Sequence, residues 1–350
     1  MEARKAIVAK NILIAIVITF AVVIAAAALV TIDRTAKKGS GLGEEYIYDD
    51  LSRFKTVDPS LVLYEESNPI IETGLTQSTG VGVGSEDKIY IAGDQQILVF
   101  DSAGKKLLTI PLPQPPQCLA VAADGMIYTG MMDHIIIYNN EGKQSKRWEP
   151  AGERTILTSI AVRNNEVFAA DAGNRVVLRY DKTGKLLNRI GAKDLENNIP
   201  GFTVPSPNFD IALADDGLLR VVNPGAHLIE AYTYDGHREF WWGEYSYEIQ
   251  GFSGCCNPTD IALLNNGAGF VTAEKGITRV KIYDADGGFV GVVAGPASFT
   301  EHDLICEFQG VGCSVGGLDV AVDSQGRVLV LDTLTGQLRI FTRKALRNRN

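Results

Sequence analysis

Four of the chain's five cysteines fall in two places. Cys255 and Cys256 are adjacent in GFSGCCNPTDIALL, and Cys306 and Cys313 follow further on with six residues between them. Thiolates are soft ligands, and four of them can hold zinc or an iron-sulfur cluster; outside the cytoplasm the same four form two disulfides. The order, a CC pair and much later C-x6-C, matches neither a zinc ribbon nor a ferredoxin. Two disulfides are the simpler expectation, each contributing about 2–4 kcal/mol by restricting the unfolded chain. A bond between the two neighbours is strained, so Cys255 and Cys256 are each expected to pair with Cys306 or Cys313, in an order the spacing leaves open. No cofactor is expected, and zinc, copper or iron-sulfur at these cysteines is the alternative. Met131, Met132 and His134 form another group of soft-metal type, although MMDH also reads as an apolar loop tip.

Other chemistries leave no trace. There is no nucleophile elbow, Walker loop or dinucleotide fingerprint. A formal net charge of -9 without a basic stripe excludes nucleic acid as a partner.

The elements that must position these residues come as repeats. KIYIAGDQQILVF (88–100), MIYTGMMDHIIIY (126–138), EVFAADAGNRVVLRY (166–180), LLRVVNPGAHLIEAY (218–232), GFVTAEKGITRVKIY (269–283) and RVLVLDTLTGQLRIF (327–341) are successive strand-turn-strand units, each closed by an aromatic. The first five are followed by DSAG, NNEG, DKTG, TYDG or DADG and then a short strand. Ahead of each unit lies another strand with a small residue at its centre: Gly82, Ala120, Ala161, Ala212, Ala262 and Ala321. Four strands per unit, with small residues where innermost strands crowd an axis, predict an all-β fold, a six-bladed β-propeller. A two-sheet sandwich would not generate a repeat of about 40–55 residues with a fixed internal order. The sixth unit has only three strands, so LVLYEESNPIIET, residues 61–73, is expected to complete it and tie the ends of the ring together.

In such a meander the loop between strands two and three and the loop leading into the next blade emerge on one face. That face should carry Met131, Met132, His134, Asp171, Asn174, Arg175, His227, Glu274, Lys275 and Asp332 as candidates for ligand or partner contact. Glu274, Lys275 and Arg279 read most simply as a solvated turn, although AEKG, residues 273–276, on the same face could contribute polar contacts. Two residues before each central small residue stand Gly80, Cys118, Ser159, Asp210, Asp260 and Asp319, a ring near the channel mouth that is acidic on blades four to six. A cation could sit there, but each Asp is also expected to accept N–H bonds from its own lead-in turn. Cys118 should remain a free, largely buried thiol. REFWWGEYSYEIQGF, residues 238–252, is the most aromatic stretch and is expected as the outer strand of blade four, either packed on the next blade or exposed as a contact surface.

These strands and turns resemble the NHL-repeat family of six-bladed β-propellers over residues 61–344. The resemblance implies the fold and leaves activity open, because that family includes both binding scaffolds and enzymes such as the peptidyl-hydroxyglycine lyase domain. That lyase uses several His ligands to zinc in its channel. This chain has four His, at 134, 227, 237 and 302, and matches it poorly.

Residues 11–32, NILIAIVITFAVVIAAAALVTI, carry no charge and follow Arg4, Lys5 and Lys10. A helix of about 20 apolar residues spans a bilayer, so residues 1–32 are expected as a cytoplasmic stub and a single-pass signal anchor, cleavage after Ala25–Ala28 being the competing reading. Arg34, Lys37 and Lys38 nearly balance the preceding basic residues; the orientation expected is N-terminus inside, propeller extracytoplasmic. Residues 33–60 read as a polar tether and 345–350 as a basic tail. The chain as a whole reads as a membrane-anchored binding or assembly module using the face that carries the Cys255, Cys256 and Cys313 loops. The alternatives are a metal-dependent or redox protein, or a lyase-like enzyme, using that face.

Overall fold

The aromatics that close the repeats decide the architecture. Phe100, Tyr138, Tyr180, Tyr232, Tyr283 and Phe341 are all buried, each at or near the end of its sheet's third strand and wedged between that sheet and a neighbour. The structure is a computed structural model; it describes residue 19 and residues 52–254, 256–299 and 317–345.

Six four-stranded antiparallel sheets follow one another, each a simple meander. Their innermost strands are Ser78–Val83, Cys118–Val121, Leu157–Arg163, Ile211–Leu213, Asp260–Leu263 and Leu318–Val322. Leu318–Val322 packs against both Asp260–Leu263 and Ser78–Val83, so the ring is closed. The protein is an all-β, six-bladed propeller. Crowding at the axis explains the small residues: a Cβ on Gly82 would lie 2.8 Å from Leu119 Cδ1 of the neighbouring blade.

The sixth sheet takes its outer strand from the other end of the chain. Tyr64–Glu72 runs antiparallel to Gln337–Arg343, with Tyr64 opposite Arg343 and Glu72 opposite Gln337. Just before it the chain lies along the outer edge of blade five, where Leu63 N–H donates to Val292 O at 2.9 Å. Both moves cover strand edges that would otherwise be open to other chains.

No helix among the described residues is long and apolar enough to cross a membrane. The predicted span 11–32 lies outside those residues except for Thr19, as do most of the tether and of the basic tail.

Candidate functional site

The ring residues project from innermost strands into the gaps between blades, and this fixes what they bind. Ser159 Oγ accepts from Ile211 N–H at 3.4 Å, Asp210 Oδ2 from Ile261 N–H at 2.8 Å, Asp260 Oδ1 from Val320 N–H at 3.1 Å and Asp319 Oδ1 from Val81 N–H at 2.9 Å. Each donor belongs to the next blade, in the residue that follows that blade's own ring position. The expectation that each Asp binds its own lead-in turn is therefore corrected: side chains of a radial strand point sideways, across the gap, and the carboxylates stitch blade to blade.

Those bonds use one oxygen of each carboxylate. Three acids then share one narrow channel without a basic partner. Burial pushes Asp210 up to about 6 and Asp319, which also feels the charge of Asp210, up to about 7. Asp260 is raised well above the usual carboxyl range by burial and by the charges of both neighbours, and it shares a hydrogen bond with Asp319. Cys118 faces the same channel as a free, buried thiol, and burial together with Asp210 and Asp319 raises its pKa far enough to make it inert.

Above the acids the lead-in loops open into a vestibule of about 390 Å³. Its walls are amides and hydroxyls, Gln117, Asn208, Thr158, Thr259, Ser78 and Thr79, with Leu157 and Phe209. Below it lies a chamber of about 120 Å³, and Asp210, Asp260 and Asp319 line both spaces and so stand at the neck between them. Ser78 is 6% exposed and its hydroxyl has no protein partner.

The ten residues predicted for the ligand face do not line this vestibule. Several of them hold its loops instead. Asp171, 1% exposed, accepts from Thr155 Oγ1 at 3.0 Å, Ile156 N–H at 3.1 Å and Asn174 Nδ2 at 2.7 Å, fixing the loop into blade three. Glu274 does the same for blade five through Ser253 N–H at 2.9 Å. Asp332 caps its own turn at Leu334 N–H, while the neighbouring Thr333 hydroxyl accepts from Gly317 N–H. Met131 is buried between blades one and two, Met132 is exposed, and His134 is buried with Nδ1 2.7 Å from Asp133. Arg175 is exposed. His227 is half-buried against the ring of Tyr245 and is held neutral more readily by that burial.

AEKG is not a solvated turn. Glu274 is fully buried and is met by Arg279 Nε at 2.7 Å and Lys281 Nζ at 3.1 Å, and Lys275 Nζ reaches Ser206 Oγ at 3.3 Å. The aromatic stretch explains why. Residues 244–252 fold back over blade five, so that Tyr247 O accepts from Arg279, Gly251 O from Lys281 and Gln250 O from the Tyr283 hydroxyl. Trp242 packs on Tyr283 with ring centroids 4.7 Å apart, whereas Trp241 and Tyr245 remain half exposed. The strand Arg238–Trp242 is blade four's outer strand, and it shows both of the alternatives left open for it.

Cys256 is buried, and no disulfide forms among the described residues. Cys255, Cys306 and Cys313 lie outside the described residues, so the predicted pairing falls there. Among the described residues, no three His, Cys, Asp or Glu side chains stand close enough together to hold one metal ion.

No family model and no curated protein matches the chain. Solved structures do. Virginiamycin B lyase from Staphylococcus aureus aligns at TM-score 0.52 and 13% identity, over 80% of this chain and 100% of its own. A gluconolactonase from Xanthomonas campestris aligns at 0.53 and 15% identity, over 81% and 89%. A protein of unknown function from Bacteroides thetaiotaomicron aligns at 0.55 and 13%, over 80% and 73%. The likeness is one of fold. At such identities the propeller is shared and the chemistry is not thereby carried over.

Proposed function

We propose that this chain is a membrane-anchored, extracytoplasmic propeller of NHL type that binds a small polar ligand in its axial vestibule without transforming it. The vestibule itself carries the reading. It is of ligand size, it is walled by neutral hydrogen-bonding side chains, and three carboxylates stand at its floor. Among the described residues, the loop-face histidines His134 and His227 have partners of their own and do not line the vestibule. In this reading residues 11–32 anchor the protein, and the loops carrying Cys255, Cys256, Cys306 and Cys313 are stapled by disulfides beside the mouth.

The test uses the full chain in detergent. Thermal-shift screening against small amines, acids, diols and sugars is run in parallel on the parent and on Gln117→Trp, which fills the vestibule from its wall. The reading expects at least one class to raise the melting temperature of the parent and not that of the filled variant. It is contradicted if every stabilising compound acts equally on both, or if the compound that binds in the vestibule is converted to product.

A further inference from the structure

The floor of the vestibule is more specific than its walls. Asp210, Asp260 and Asp319 each commit one oxygen to a backbone N–H of the next blade; beyond that Asp260 and Asp319 share a hydrogen bond and Asp210 takes the Ser159 hydroxyl, so only neutral groups and a shared proton hold the cluster. Gly80 completes that side of the ring without a side chain: a Cβ there would lie 3.8 Å from Asp319 Oδ2. Above the acids Ser78, buried and with a hydroxyl that has no protein partner, is one of the residues around the same space. Among the described residues, buried Glu274, Glu230 and Asp323 are met by arginine or lysine, and Asp171, which stands alone, by a hydroxyl, an amide and backbone N–H groups. Among the described residues that line the vestibule and the chamber, Asp210, Asp260, Asp319 and Cys118 are the titratable groups, and none is basic.

Three carboxyl groups without a basic partner, whose shared proton a cation can replace, describe a socket for positive charge. No group of three His, Cys, Asp or Glu side chains suited to ligate one metal ion is found among the described residues, and a cation held by hydrogen bonds fits the neck without that requirement. An ammonium group makes fewer geometric demands: it donates three hydrogen bonds at about 2.7–2.9 Å in directions set by rotation about its C–N bond. We propose that the vestibule binds a primary ammonium compound, with the ammonium at the neck between Asp210, Asp260 and Asp319 and the rest of the molecule against the amide and hydroxyl walls. This assignment rests on the vestibule's being a ligand site and goes beyond that reading in naming the ligand's charge. A bound cation lets the carboxyls ionise, so uptake near neutral pH releases protons.

The experiment is calorimetric titration of the full chain in detergent with 1,4-diaminobutane, 1,4-butanediol and succinate, and separately with Ca²⁺ and Mg²⁺. The expected result is saturable binding of the diamine. It weakens at least tenfold in Asp260→Asn and in Ser78→Ala and is unchanged in Glu141→Gln, an exposed surface acid. The apparent binding heat in the parent should vary with the ionisation heat of the buffer, which a merely structural role for the acids would not produce. Asp260→Asn keeps the acceptor used by Val320 and so preserves the inter-blade bond; Ser78→Ala tests the site should the first variant fold poorly. Binding of the diol or succinate that Gln117→Trp abolishes, without binding of the diamine, overturns the ammonium assignment and leaves the ligand site standing. Stoichiometric binding of Ca²⁺ or Mg²⁺ that depends on Asp260 overturns it in favour of a metal. Absence of any binding sensitive to Gln117→Trp removes both readings.

Discussion

Two sets of buried acidic side chains in this propeller, the glutamates on the blade faces and the aspartates on the axis, are treated in opposite ways. Glu274, on the face of blade five that meets blade four, and Glu230, on the face of blade four that meets blade three, are completely inaccessible and saturated. Glu274 takes Arg279, Lys281 and Ser253 N–H, and Glu230 takes Asn223 Nδ2 at 2.9 Å, the Tyr232 hydroxyl at 2.6 Å and Arg238. On the axis Asp210, Asp260 and Asp319 have backbone N–H groups and one another, and no cation. A buried carboxylate with complete partners is a structural device, since losing one partner strands the rest. Carboxylates held together without countercharge oppose folding in their ionised form, and proteins retain such an arrangement where a ligand supplies what is missing.

The comparison breaks most visibly at Glu274. Glu274→Ala leaves Arg279 and Lys281 buried without their carboxylate and frees the segment over blade five. Chemical denaturation should show a loss of about 3–5 kcal/mol. A loss below about 1 kcal/mol would show that this lattice is not the structural counterpart of the axial acids.

Lys281→Met is milder. The ammonium is held at about 8 by burial, so the folded protein already gives up its proton more readily than the unfolded chain does. Glu274 keeps Arg279 and Ser253 N–H, and Met fills a similar volume beside Phe252 and Tyr283. The expected loss is about 1–2 kcal/mol, mostly from the bond to Gly251 O. A loss equal to that of Glu274→Ala would place the weight of the lattice on the lysine.

The smallest effect is on the axis, and its sign is opposite. Asp210 and Asp319 bind protons more tightly in the folded chain, at about 6 and 7, than at the ordinary value of 3.8. Their contribution to stability is complete below 3.8 and is lost as pH rises through about 6 to 7. The melting temperature should therefore climb as pH falls from 8 towards 5, and Asp319→Asn should flatten the climb while costing nothing at pH 8. A profile that falls steadily over that interval, unaltered by the variant, would mean that the axial acids are stabilised as carboxylates.

How much of this the sequence disclosed depends on whether a feature repeats. The closing aromatics, the central small residues and the missing sixth strand recur in register, so the blades and the ring could be counted off by position. The acidic half of the ring was legible for the same reason. The vestibule walls were not singled out, although Gln117, Thr158 and Thr259 each stand one residue before a ring position and Ser78 and Thr79 just before Gly80. Loop residues of mixed type carry no periodic signal. Glu274 and Lys275 misled because charges beside a glycine look like a solvated turn, and what buries them is a non-repeating segment, residues 244–252, whose fold-back over blade five no local pattern announces. The direction of the Asp hydrogen bonds was also hidden: register along a strand says where a side chain stands, whereas its partner across the blade gap depends on closure of the whole ring.

The central claim, that the charge of the axial acids serves a ligand while their acceptor oxygens join the blades, is tested most directly by replacing all three. Asp210→Asn, Asp260→Asn and Asp319→Asn combined keep the acceptors that join the blades and remove the charge. Melting of this variant at pH 8, beside calorimetric titration with 1,4-diaminobutane, is the decisive measurement. The account predicts a melting temperature within about 2 °C of the parent or above it, together with loss of diamine binding. A variant that melts several degrees below the parent, or that still binds the diamine as the parent does, would contradict it.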